Sequence, residues 1–134
     1  MNKIVLAGIV ISVSIGGIFV FSANSLDKNI LAGTFSVSAV YYPNDKIVKI
    51  TYHDNSNGTT LVTLEILGMN ESFRRTYDTS SFQEKVQLSS PPKYGWSSIP
   101  VTFLVQHNEF GQIEIKTEIS PIGEPAAEVI YSKP

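Results

Sequence analysis

Residues 34–53 read TFSVSAVYYPNDKIVKITYH, and the period of that stretch decides the fold. From Thr34 to Tyr42, Phe35, Val37, Ala39 and Tyr41 alternate with Ser36 and Ser38, the pattern of a strand with one face buried. Pro43, Asn44 and Asp45 then supply a turn, and Lys46 to His53 resumes the alternation with Val48, Ile50 and Tyr52 on one side. Two such runs around a turn predict a β-hairpin.

The same grammar continues toward the C-terminus. Asp54, Asn55, Ser56, Asn57 and Gly58 form a second turn, followed by the β-branched and aliphatic run Thr59 to Leu67. After Gly68, Met69 and Asn70, the segment Glu71 to Asp78 carries Phe73 and Tyr77 on one face around Arg75, a charged strand suited to a sheet edge. Phe82 to Leu88 alternates again. Ile99 to Gln106 and Gln112 to Ile119 make a late hairpin, and Glu128 to Tyr131 is a short last strand after Pro121, Gly123 and Pro125. No amphipathic helix is expected in the domain. About seven short strands in roughly 100 residues predict an antiparallel β-sandwich, with a small barrel as the alternative.

Strand number and spacing, together with an apolar leader, make Thr34 to Ile119 resemble the immunoglobulin and fibronectin type III class of exported β-sandwich domains. The immunoglobulin Cys pair is absent, and the single Trp, Trp96, lies in a Pro/Gly loop. The resemblance implies an adhesive, binding or spacer module and no chemistry.

The leader runs from Ile4 to Phe21 as IVLAGIVISVSIGGIFVF, uncharged, with Ser12 and Ser14 its only polar members. As a helix it would span roughly 27 Å, near the thickness of a bilayer's hydrocarbon core. It exceeds the about 7 to 15 residues of a secretory h-region, so a retained single-pass anchor is expected. The small-residue run Ser22, Ala23, Asn24 and Ser25 offers the alternative of cleavage after Ser25 and a secreted protein. Lys3 precedes the segment while Asp27 and Lys28 cancel after it, so the N-terminus is expected in the cytoplasm and the domain outside. The chain thus divides into a membrane anchor or signal peptide with a short linker, 1–29, and one β domain, 30–134, of the usual single-domain size.

Composition narrows the partners. With Lys3 left to the leader, the remainder carries nine basic and twelve acidic residues, which argues against a nucleic-acid surface. There is no Cys, so a disulfide framework, an acylated lipoprotein anchor and a blue-copper centre are all excluded. The expected partners are the bilayer, through Ile4 to Phe21, and another membrane or cell-envelope protein.

Candidate chemistry is sparse, and no cofactor is expected. Asp54 to Gly58 invites comparison with a calcium loop, but aligning Gly58 to the loop's glycine puts His53 and Leu64 where acidic ligands belong. His53 and His107, the only histidines, would hold a metal only if their strand ends met. Ser25-Leu26-Asp27-Lys28 and Ser90-Pro91-Pro92-Lys93 match S-x-x-K by letter, but the prolines forbid the helical turn that pairing needs in the second. Asn57 and Asn70 begin N-x-S/T sequons in turns facing outside, candidate glycosylation sites. The candidate partner-binding loop contains Pro91, Pro92, Tyr94 and Trp96, where aromatic rings on a proline-stiffened loop offer contact area at low entropic cost. The alternative is that Tyr94 or Trp96 folds back over the open end of the sandwich.

These readings point to a non-catalytic, membrane-anchored β-sandwich that acts by binding, as an accessory subunit of a membrane or envelope complex or as an adhesive module. A pilin-like filament subunit also joins an apolar N-terminal helix to a β domain. Only Met1, Asn2 and Lys3 precede the leader here, where a pilin carries a processing site.

Overall fold

The computed structural model describes residues 27–69 and 71–134. Asp27 opens it as a helix cap, its carboxylate accepting from the N–H groups of Asn29 and Ile30 at 3.1 and 3.2 Å. The helix it starts, α1 (Lys28–Thr34), buries Leu31 against the core and passes straight into β1 (Phe35–Tyr42). This corrects the expectation of a domain without a helix. Seven residues carry too little periodicity to announce themselves, and helix formation here draws on the cap and on Leu31's burial.

β1 pairs antiparallel with β2 (Ile47–Asp54) from Phe35 opposite Asp54 to Tyr42 opposite Ile47, so the hairpin read from the sequence is present in full. Its turn closes with the Lys46 N–H on the Tyr42 carbonyl at 2.8 Å, and Lys46 takes φ of 57°, the left-handed region. Then follow β3 (Thr59–Ile66), β4 (Phe73–Tyr77), β5 (Ser81–Gln87), β6 (Pro100–His107), β7 (Gly111–Glu118), β8 (Ser120–Pro121) and β9 (Ile130–Ser132).

The strands form two sheets, ordered β5-β2-β1-β8 and β4-β3-β6-β7-β9. That is a sandwich rather than a closed barrel. Among the described residues nine strands replace the expected seven or eight, because the chain crosses between sheets after β7 and two residues of β8 pair parallel to β1 before the tail returns as β9 beside β7. Pro121 permits so short a rung and no more. The charged strand β4 lies at a sheet edge, as its composition predicted.

Between the sheets, Val48, Ile50 and Tyr52 meet Val62, Leu64, Ile66, Val101, Phe103, Ile113 and Ile115, all fully buried. The aromatic rings continue this core sideways: Tyr77 stacks on Phe82 at 3.7 Å between centroids, and Phe82 on Tyr52 at 5.3 Å. At the open side between β4 and β5, Glu84 accepts from both Arg75 and Tyr77, closing the gap with a carboxylate.

The sandwich has two poles. One gathers α1 and the turns 55–58, 78–80 and 108–110; the other gathers the turn 43–46 and the loops 67–72 and 88–99. Residues 4–21, the expected membrane helix, lie outside the described residues. Among the described residues no helix is long and apolar enough to cross a membrane.

A left-handed lysine costs backbone energy that glycine avoids. Lys46→Gly should therefore raise stability by about 0.5–1 kcal/mol, read as an upward shift of the thermal midpoint. A lowered midpoint would contradict the turn geometry.

Candidate functional site

The loop between β5 and β6 occupies the pole opposite α1, and its four candidate residues part company there. Gly95, at φ of 93°, turns the chain so that Trp96 starts a single 3-10 turn, closed by the Ile99 N–H on the Trp96 carbonyl at 3.1 Å. The Trp96 ring lies back on Tyr41, 5.3 Å between centroids, while the Tyr41 hydroxyl donates to the Leu88 carbonyl at 3.2 Å. Trp96 thus covers the end of the core. Tyr94 does the opposite: it is 81% exposed, with the Lys93 ammonium 5.6 Å from its ring centroid.

Pro91, Pro92 and Tyr94 line one wall of an open groove of about 930 Å³. Met69 and Phe73 stand among its other lining residues, with Leu88 beside them and one charge of each sign, Glu71 and Lys93. The wall opposite the loop depends on Gly68, at φ of 87°, where any side chain would run into the Ser98 carbonyl. Sequence reading found the proline-aromatic lining and missed Met69, a loop residue, and Phe73, the first of β4, which the fold brings into the same groove. The only local signal was Gly68, a turn glycine whose close approach to residue 98 spans the two loops.

At the α1 pole a second cluster sits at the end of β2. Asp54 is fully buried, and its carboxylate accepts from the Ser56 hydroxyl at 2.6 Å, the Ser56 N–H at 2.8 Å, the Thr59 hydroxyl at 2.7 Å and the Gly58 N–H at 3.0 Å. His107 Nε2, at the end of β6, lies 3.1 Å from the same carboxylate and 2.9 Å from Ser56 Oγ. Burial by itself pushes the Asp54 pKa up, but the hydrogen bonds from Ser56 and Thr59, with the His107 imidazole alongside, hold it below the ordinary 3.8.

Ser56, His107 and Asp54 are the residue types of a nucleophilic triad, but their bonds run otherwise. His107 Nδ1 accepts from the N–H groups of Glu109 and Phe110 at 3.0 and 3.2 Å, which places the ring proton on Nε2. The serine gives its own proton to Asp54, so the imidazole has no free lone pair to take it. What this arrangement does is fasten β2 of one sheet to β6 of the other. Gly58 has no room for a side chain, since a Cβ would press on the His107 ring and Asn108.

The remaining candidates are dispersed. The Asp54 carboxylate turns inward, away from where a calcium loop would use it. His53 points outward from β2 while His107 is buried, so the two histidines do not converge. Among the described residues no three His, Cys, Asp or Glu side chains gather in a way that would hold a metal ion. Asn57 is exposed in the turn 55–58 at φ of 56°, with the hydroxyl of its sequon partner Thr59 committed to Asp54. Asn70 and Ser25 lie outside the described residues. The chain matches no protein-family model and no curated protein sequence.

Two outcomes follow. Asp54 contributes stability that is complete above its ordinary pKa of 3.8 and is lost as pH falls through its lower folded-state value. Chemical denaturation of wild type and Asp54→Asn, from about pH 6 to pH 2, should show a stability gap that closes on acidification; a constant gap would contradict the assignment. At the other pole, Trp96→Ala should cost about 2–4 kcal/mol, while Tyr94→Ala should stay within about 0.5 kcal/mol by the same measurement.

Proposed function

We infer that this chain is a single-pass membrane protein whose outward-facing β-sandwich works by binding, as an accessory subunit of a membrane or cell-envelope complex. The observation that carries the reading is polarity. Asp27, the first described residue, stands at the α1 pole, and the groove with the exposed Tyr94 opens at the other. Strands of eight residues separate the poles by roughly 27 Å, so a domain tethered through Ile4 to Phe21 would hold the groove that far from the bilayer.

The strand order supports the immunoglobulin and fibronectin type III resemblance. Taking β1, β2 and β5 as A, B and E, and β3, β6 and β7 as C, F and G, reproduces A-B-E facing C-F-G. β4 then extends the second sheet beyond C, where the immunoglobulin constant type places its fourth strand beside E. By the same lettering the Pro91 to Trp96 loop joins E to F, at the end opposite the B–C and F–G loops, so the case for it rests on its own residues. Proline stiffness and a ring already exposed lower the ordering cost of contact.

The test uses intact cells that make the full chain. Alkaline extraction should leave the protein with the membranes, and added protease should remove the domain from outside. A photocrosslinking side chain placed at Tyr94 should give one discrete adduct, absent when it is placed at Gln112 near the α1 pole. A mature chain beginning after Ser25 and released to the medium would overturn the tether. Adducts of equal yield from both positions would overturn the groove.

A further inference from the structure

Lys49 and Lys85 are direct cross-strand partners in the β2–β5 pairing. Their chain neighbours Val48, Ile50 and Val86 are buried in the core, so both lysines stand on the outward face of the sheet. Like charges directly opposite one another destabilise a sheet. Elsewhere the fold avoids that cost: Arg74 rests on Glu65, Arg75 on Glu84 and Lys116 on Glu114. Among the described residues no carboxylate comes within 4.0 Å of Lys49 or Lys85. The only acids in β1, β2 and β5 are Asp54 and Glu84, and both turn inward to partners already named.

This face therefore carries uncompensated positive charge on a chain whose net charge is −2. His53 lies on the same side of β2, and Gln83 and Gln87 flank Lys85 with amide donors and acceptors. β5 is also the outer strand of its sheet, and its far edge leaves backbone N–H and C=O groups unpaired.

We propose that the outward face of β2 and β5 is a docking surface for an acidic, extended polypeptide segment of a partner protein, laid beside β5 with its carboxylates over Lys85 and Lys49. The free backbone groups of β5 match another backbone and nothing in a lipid headgroup. The face also runs along the axis between the poles, where a bilayer meeting the α1 pole would not lie against it. The site meets the groove at Gln87 but does not use its proline-aromatic loop, and it holds whether or not the groove binds.

The probe is a synthetic peptide of about ten residues alternating Glu and Thr, titrated onto the full chain in uncharged detergent micelles. The expected result is saturable binding that weakens with salt and perturbs the amides of β5. Lys49→Gln with Lys85→Gln should weaken it about tenfold without lowering the thermal midpoint, because the substitution also removes a repulsion. Lys49→Arg with Lys85→Arg should retain it. Unchanged affinity in the double glutamine variant, or equal binding of a Lys–Thr peptide, would overturn the proposal. So would a lower midpoint in the glutamine variant, which would make the lysines structural, or lysine-dependent binding to phosphatidylserine vesicles in preference to the peptide. Self-association that depends on both lysines would replace the acidic partner with a second copy.

Discussion

A buried carboxylate with five donors around it is what the α1 pole is built on. Asp54 ends β2, and the groups that satisfy it come from its own turn, from the start of β3 and, through His107, from the end of β6. Left unpaired, such a charge would be strongly destabilising in the interior, so each donor is held in place by the cost of losing it. The consequences radiate outward. Tyr52 adds its hydroxyl to Thr59 at 2.7 Å; the Phe35 ring meets His107 edge-on at 5.5 Å, and Phe110 meets it from the turn that supplies the two N–H groups to Nδ1. Asn55 ties the cluster to α1 by donating to the Gly33 carbonyl.

Among the described residues the opposite pole has no comparable buried charge. There the loops beside the end of β5 and the start of β4 line an open groove, with Trp96 capping the core over Tyr41. Tyr94 remains outside because Trp96 has taken the covering position, so one short loop supplies both the lid of the core and a ring for contact.

Much of this was legible in the sequence. Alternation marks the strands, because Phe35, Ala39 and Tyr41 must face inward together, and the charge of Arg74 and Arg75 marks β4 as an edge. The short helix α1 was not legible, since Asp27 reads equally well as a charge beside a membrane segment. Nor was β8, whose two residues are fixed by pairing with β1 rather than by their own propensity. Asp54 reads as a turn residue because its local neighbours are turn formers. The partner that matters stands on another strand, and the contact from Ser56 to His107 spans 51 residues. No window of sequence holds both.

Asp54 and His107 act together in joining the sheets. A double-mutant cycle tests it directly: chemical denaturation at neutral pH of wild type, Asp54→Ala, His107→Ala and the double variant, all in the same detergent. The double variant should lose less stability than the two single losses together, by a coupling of about 1 kcal/mol or more. Losses that add to within about 0.3 kcal/mol would show two independent residues, and the fold would have to be held at that pole by something else.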